Sequence, residues 1–273
     1  MKYVVCYSGG HSSAIVAVEA VRRYGKENVI LLNHDISPKV EDQDIKRFKK
    51  EVADYLGMEI TYANMDGWEE NDQFDIALKS RYLSGAFIPG GAICTTRLKT
   101  EPFKKWLKNN YPASKESPNT EVVILYGFDP KEVNRMKRRT AIMREMGYMV
   151  DFPLMWDNRT IEKVEDIGIK RPSTYALYNH ANCKGCLKAG AMHWYVIYCT
   201  EPEIFEKAKA TERVIGRSII KNKPLAMLEC EKFRPMKEAG IVPKEDENPQ
   251  GFWTKVRREL KDYDANMPCE CTE

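Results

Sequence analysis

The chain has 273 residues, with 43 Lys and Arg against 40 Asp and Glu and a hydrophobic share of 43%. A net charge of +3 is too small to announce a nucleic-acid partner, although a local basic patch can hide under a balanced total. The composition supports a buried core, and no apolar run nears the roughly 18 residues that a membrane-crossing helix needs.

The opening stretch MKYVVCYSGG reads as a strand and a turn, not as an export signal. A soluble, cytoplasmic protein is expected, without a membrane partner. Lys2 to Tyr7 is a short apolar run, and Ser12 to Tyr24 has helical spacing through Ala14, Ile15, Ala17, Val18 and Val21. Asn28 to Asn33 is a second apolar run. Glu41 to Leu56 is an amphipathic helix through Ile45, Phe48, Val52 and Leu56, stopped by Gly57, and Met58 to Ala63 is a third strand. This alternation predicts βαβ units, a parallel sheet and right-handed crossovers.

Helices follow near Phe74 to Tyr82 and Arg97 to Asn110, with a loop at Ile88 to Gly91 between them. Glu121 to Tyr126 is a fourth buried strand, Pro130 to Met146 a helix, and Tyr148 to Phe152 a fifth strand. Beyond Pro153 the pattern turns mainly helical, at Thr160 to Ile167, Ala189 to Ile197, Pro202 to Ile215 and Phe252 to Tyr263. A strand is expected at Pro224 to Cys230. The reading is a doubly wound α/β domain over residues 1–152, followed by a mainly helical, Cys-bearing part over residues 153–273.

Ser8-Gly9-Gly10-His11-Ser12-Ser13 falls between the first strand and the first helix. A doubly wound fold binds phosphate there, on backbone N–H groups at the positive end of the helix. Two glycines allow the turn and a close approach to the backbone, and three serines add hydroxyls. The loop is neither a Walker A sequence nor GxGxxG. Among the basic residues placed after strand ends, Arg97, Lys99, Arg135, Arg138 and Arg139 are candidates to meet phosphate charge, and Asp129 is a candidate beside Mg²⁺.

SGGHSS resembles the SGGxxS signature of the PP-loop ATP pyrophosphatase superfamily. Within it the chain resembles the phosphoadenosine phosphosulfate reductase-like family, through Cys94-Thr-Thr-Arg97-Leu-Lys99, Tyr126-Gly127-Phe-Asp129 with Arg135 and Arg138-Arg139, Phe152-Pro153-Leu154, and Asn182-Cys183-Lys-Gly-Cys186-Leu-Lys188-Ala-Gly190. The resemblance implies a five-stranded parallel sheet of the adenine nucleotide alpha hydrolase type. It implies an adenine nucleotide, ATP or an adenylyl sulfate, over the carboxyl ends of the strands. Ser8, Gly9, Gly10, His11, Ser12 and Ser13 would hold phosphates. His34-Asp35 and Gly127 would lie beside the nucleotide, with Lys99, Arg138 and Arg139 as catalytic candidates.

Eight cysteines stand at Cys6, Cys94, Cys183, Cys186, Cys199, Cys230, Cys269 and Cys271. Without an export signal they do not suggest a disulfide framework. Cys6 reads as a packed thiol and Cys199 and Cys230 as core or half-buried ones. Cys183-x-x-Cys186 and Cys269-x-Cys271 together give four thiolates, enough for Zn²⁺ or a [4Fe–4S] cluster. The resemblance offers a second set, Cys94 with Cys183 and Cys186. The sequence does not choose between the sets or the metals, and His180 and His193 flank the central pair.

Three functions compete at this level. One is ATP-dependent adenylation, with Mg²⁺ sharing the phosphate charge and sulfur transfer a further step. Another is sulfonucleotide reduction, although the terminal Glu-Cys-Gly-Leu-His motif of such reductases is absent and Glu270-Cys271-Thr272 only echoes it. The third is a nucleotide-binding module that turns nothing over. The second substrate, nucleic acid or small molecule, stays open, as does homo-oligomerisation. A basic cluster of Lys207, Lys209, Arg213, Arg217, Lys221 and Lys223 is a candidate nucleic-acid face or a plain solvated one.

Overall fold

The computed structural model describes residues 1–83, 92–178, 182–244 and 249–263. Five strands, β1 (Lys2–Cys6), β2 (Val29–Asn33), β3 (Ile60–Tyr62), β4 (Val122–Leu125) and β5 (Met149–Asp151), form one sheet in the order β3-β2-β1-β4-β5. Every pairing is parallel; Cys6 lies opposite Leu32, and Val5 opposite both Leu31 and Leu125. The central strands carry apolar residues on both faces because helices cover both.

On one face lie α1 (His11–Tyr24) and α2 (Gln43–Leu56), packing Ala14, Val18, Phe48 and Val52 against Val5 and Leu31. On the other lie α4 (Glu101–Asn110) and α5 (Val133–Glu145), packing Phe103, Leu107, Met136 and Met143 against Val4, Leu32 and Ile124. This is the doubly wound arrangement read from the alternation. Asp42 caps α2 by accepting from the Asp44 N–H at 2.9 Å, and Gly57 closes it in the left-handed conformation.

The helical part has its own core, built on α6 (Ala191–Thr200) and α7 (Pro202–Ile215) around Trp194, Tyr195, Phe205 and Phe233, with α8 (Pro249–Glu259) adding Phe252 and Val256. It takes in Phe74 and Ala77 from α3 (Gln73–Ser80). In return Leu154, Ile161, Val164 and Ile169 join the sheet core. The two parts thus share their apolar interiors across the change of pattern at Pro153.

Three local readings are corrected. The helix expected from Thr160 is confined to a short 3₁₀ turn, Val164–Ile167. The preceding N–H groups are taken by carboxylates: Glu19 accepts from Thr160 and Ile161 at 2.6 and 2.9 Å, and Asp166 from Glu162 and Lys163 at 3.0 and 3.1 Å. The strand expected at Pro224 to Cys230 is helical instead, α-helical at Leu225–Leu228 and π-helical from Glu229 to Phe233. Leu225 and Leu228 both enter the helical core at a spacing of three, and the Glu212 carboxylate accepts from the Leu225 N–H at 2.7 Å. The helix expected from Arg97 begins as a π turn, Thr96–Thr100, before α4.

Candidate functional site

The loop after β1 sits at the carboxyl edge of the sheet's middle strand. Connections from β1 and from β4 leave toward opposite faces of the sheet, and the crevice between their ends is where open α/β sheets place ligands. Gly9 has a φ of 79°, and a Cβ there would lie 2.6 Å from Lys49 Cγ. Gly10 precedes α1 in an extended conformation. Ser13 Oγ donates to the Gly10 carbonyl at 2.9 Å, and the Ser8 and Ser13 hydroxyls are 3.3 Å apart. The N–H groups of Gly9, Gly10, Ser12 and Ser13 have no acceptor among the described residues. They are the donors that an anion would meet at a helix start.

Gly127, just past β4, backs this loop. A Cβ on it would lie 3.0 Å from the Ser12 carbonyl carbon and 3.1 Å from Ser13 N. Those atoms are backbone and cannot swing aside. Gly127→Ala is therefore expected to lower stability by about 1–3 kcal/mol, the usual cost of overpacking. Urea unfolding reads this, and an unchanged midpoint would contradict the close approach.

A narrow cleft beside the loop is lined by Cys6, Tyr7, Ser8, Leu32, His34, Lys99 and Phe103. It joins the strand ends predicted to face the ligand with Lys99 on its π turn, a helical irregularity frequent at functional sites. Burial pushes the Cys6 thiol up to about 12, which keeps it protonated and non-nucleophilic. His34 donates through Nδ1 to the Ala63 carbonyl. Burial holds its pKa down at about 4, against the pull of that hydrogen bond and with a small push from Lys99. His34 is thus neutral at pH 7.

Asp35 has a role that sequence reading did not supply. Its carboxylate accepts from Lys49 Nζ at 2.8 Å and from Lys46 Nζ at 3.2 Å, and Glu41 binds the same two lysines at 3.0 and 3.1 Å. Burial opposes ionisation of both acids. At Asp35, Lys49 and then Lys46 outweigh it and leave the carboxyl below its usual range; at Glu41 burial prevails and the carboxyl is raised. Lys49 is only 2% exposed, and its stem lies directly under Gly9. A signal did exist: Lys49 falls on the apolar stripe of α2, four residues after Ile45 and three before Val52.

The two arginine candidates separate. Arg139 is buried beside Cys6 and stacks over the Tyr126 ring at 5.4 Å, within the core under the sheet. Arg138 is exposed on α5. Arg135 pairs with Glu132 and lies over Phe128 at 4.4 Å, and Arg97 pairs with Glu101. Asp129 is an exposed residue that accepts from the Lys131 N–H.

The Cys183–Cys186 turn is held from several sides. Gln73 Nε2 donates to the carbonyls of Lys184 and Gly185 at 2.7 and 3.1 Å, and Lys184 N–H donates to the Val40 carbonyl at 2.8 Å. His193 Nε2 accepts from the Cys186 N–H at 3.3 Å, so this histidine supports the turn. Gly185 has a φ of 68° and presses against Ile204 and Phe74. Among the described residues, no group of three or more His, Cys, Asp and Glu is disposed to hold a metal ion. Cys269, Cys271 and His180 lie outside those residues, as does the loop at Ile88 to Gly91.

Of the basic cluster, Lys207 pairs with Asp72 and Asp75, Lys209 with Glu206 and Glu229, and Lys223 Nζ donates to the Asp262 carbonyl. Arg213, Arg217 and Lys221 line a separate cleft of about 830 Å³. Among the described residues no helix is long and apolar enough to cross a membrane.

The chain is a doubly wound α/β protein with a glycine- and serine-bearing turn after the middle strand of its sheet. No family model, curated protein or solved structure matches the chain.

Proposed function

We propose that the chain is an adenine-nucleotide-binding enzyme of the PP-loop type that cleaves ATP between its α and β phosphates. AMP is transferred to an oxygen of a second substrate, and pyrophosphate leaves. The observation that carries this reading is the set of donors at Gly9, Gly10, Ser12 and Ser13, pointing out of the middle strand's loop with Gly127 wedged behind them.

Each residue's part follows from its place. The four N–H groups bind and orient phosphate oxygens, while the Ser8 and Ser13 hydroxyls, bonded to each other and to the Gly10 carbonyl, hold the turn in shape. Lys99, in the same cleft, supplies positive charge where the leaving pyrophosphate gains negative charge. Lys49 props the loop from below through Gly9. Mg²⁺ would arrive on the nucleotide's phosphates and neutralise their charge, because the Asp35 carboxylate is already taken by Lys46 and Lys49.

The test is pyrophosphate release from ATP labelled in its β and γ phosphates, with Mg²⁺ present and acceptors of several classes supplied. Release that depends on an acceptor and falls at least tenfold in Lys99→Met supports the assignment. No release with any acceptor, together with sulfite release from an adenylyl sulfate and a thiol, would replace adenylation with reduction.

A further inference from the structure

We propose that Tyr175, reaching the loop from the C-terminal part of the chain, is a phosphate-contacting residue of the nucleotide site. The proposal rests on the nucleotide reading above and adds a residue that none of the loop or strand-end motifs contains.

The Tyr175 hydroxyl oxygen accepts from the His11 N–H at 3.0 Å, and a Cβ on Gly10 would lie 3.4 Å from it. It therefore stands at the mouth of the loop, on the N–H of His11, the first residue of α1. A phenol hydroxyl both accepts and donates. Its oxygen is committed to His11, and no acceptor among the described residues takes its hydrogen. That hydrogen is left to donate to a ligand oxygen held by the neighbouring Gly10, Ser12 and Ser13 donors. The hydroxyl keeps its proton at neutral pH: burial raises its pKa, against the His11 bond and Arg171.

The position of Tyr175 is imposed by contacts that do not involve it. Ser173 N–H donates to Asp44 Oδ2 at 2.6 Å, and Arg47 Nη2 donates to the Lys170 carbonyl at 3.1 Å, so α2 holds the segment just before Tyr175. Arg171 grips Glu165 with two hydrogen bonds of 2.6 and 2.8 Å. Val164 N–H donates to His11 Nε2 at 3.4 Å. A strap from Val164 to Tyr175 is thus tied across the starts of α1 and α2. Its only hydroxyl on the phosphate loop is that of Tyr175.

The experiment measures calorimetric affinities of the full chain and of Tyr175→Phe for two probes, ATP and adenosine, with thermal unfolding of both proteins alongside. A hydrogen bond to a charged phosphate oxygen predicts ATP affinity weakened on the order of 10- to 100-fold, with adenosine affinity unchanged. Unchanged ATP affinity would overturn the proposal. Equal weakening of both probes would also overturn it, because that is the mark of a residue that only shapes the pocket. If the unmodified chain binds ATP no better than adenosine, the nucleotide reading itself fails and takes this proposal with it.

Discussion

Lys49→Met is expected to destabilise the fold by about 3 kcal/mol, the low end of the range for removing one partner of a buried ion pair. Lys49 is 2% exposed and is shared between Asp35 at 2.8 Å and Glu41 at 3.0 Å. Methionine keeps the stem under Gly9 and deletes the charge. Lys46 still reaches both acids, but it is more exposed and cannot replace the lost hydrogen bonds from the buried side. Two carboxylates would then crowd one lysine. Urea unfolding of Lys49→Met and of the Lys49→Met, Glu41→Gln pair separates the causes. The double variant should recover at least half of the loss, since it removes the acid that burial already disfavours. A single variant within about 0.5 kcal/mol of the unaltered chain, the scatter of an ordinary surface substitution, would contradict this account.

The second large effect is acid sensitivity carried by His34. Its folded pKa of about 4 lies below the ordinary 6.5, with burial the main cause. Between those values the unfolded chain takes up a proton that the folded chain refuses. Stability from this group is therefore complete above pH 6.5 and is lost as pH falls toward 4. The full loss is about 3 kcal/mol, at 1.36 kcal/mol per pKa unit. His11 pushes in the same direction, because burial and Arg171 lower its pKa as well. The measurement that isolates His34 is the unfolding free energy at pH 7 and pH 4.5 for the chain and for His34→Gln. The variant should lose about 2–3 kcal/mol less than the chain over that interval. Equal losses in both proteins would mean that His34 accepts its proton in the folded state.

The alternation of apolar runs and helical spacing made the sheet legible because its central strands β1, β2 and β4 are buried on both faces and the flanking helices on one, while the edge strands β3 and β5 are shorter and more exposed. The turn after β1 was legible for a different reason: two adjacent glycines between a strand and a helix mark a tight turn, and Gly9 does take a positive φ of 79°. What stayed hidden depends on long-range contacts. Glu19 holds Thr160, which is 141 residues away, and that contact ended a helix that the local pattern favoured. Pro224 to Cys230 alternates well enough for a strand, but among the described residues no strand pairs with it, and the helical core takes Leu225 and Leu228 from one side. Arg138 and Arg139 are adjacent in sequence and diverge in space, because neighbours on a helix are about 100° apart and only Arg139 turns inward. Tyr175 gave no signal, since nothing in its neighbourhood says that the strap from Val164 crosses the start of α1.

The central claim is that the N–H groups of the Ser8–Ser13 turn hold nucleotide phosphate. The most direct measurement is the backbone amide spectrum of the full chain, isotopically labelled, during titration with ATP, pyrophosphate and adenosine. The account predicts that the amides of Gly9, Gly10, Ser12 and Ser13 move with ATP and with pyrophosphate and stay in place with adenosine. Loop amides that remain still while ATP moves resonances elsewhere would contradict it.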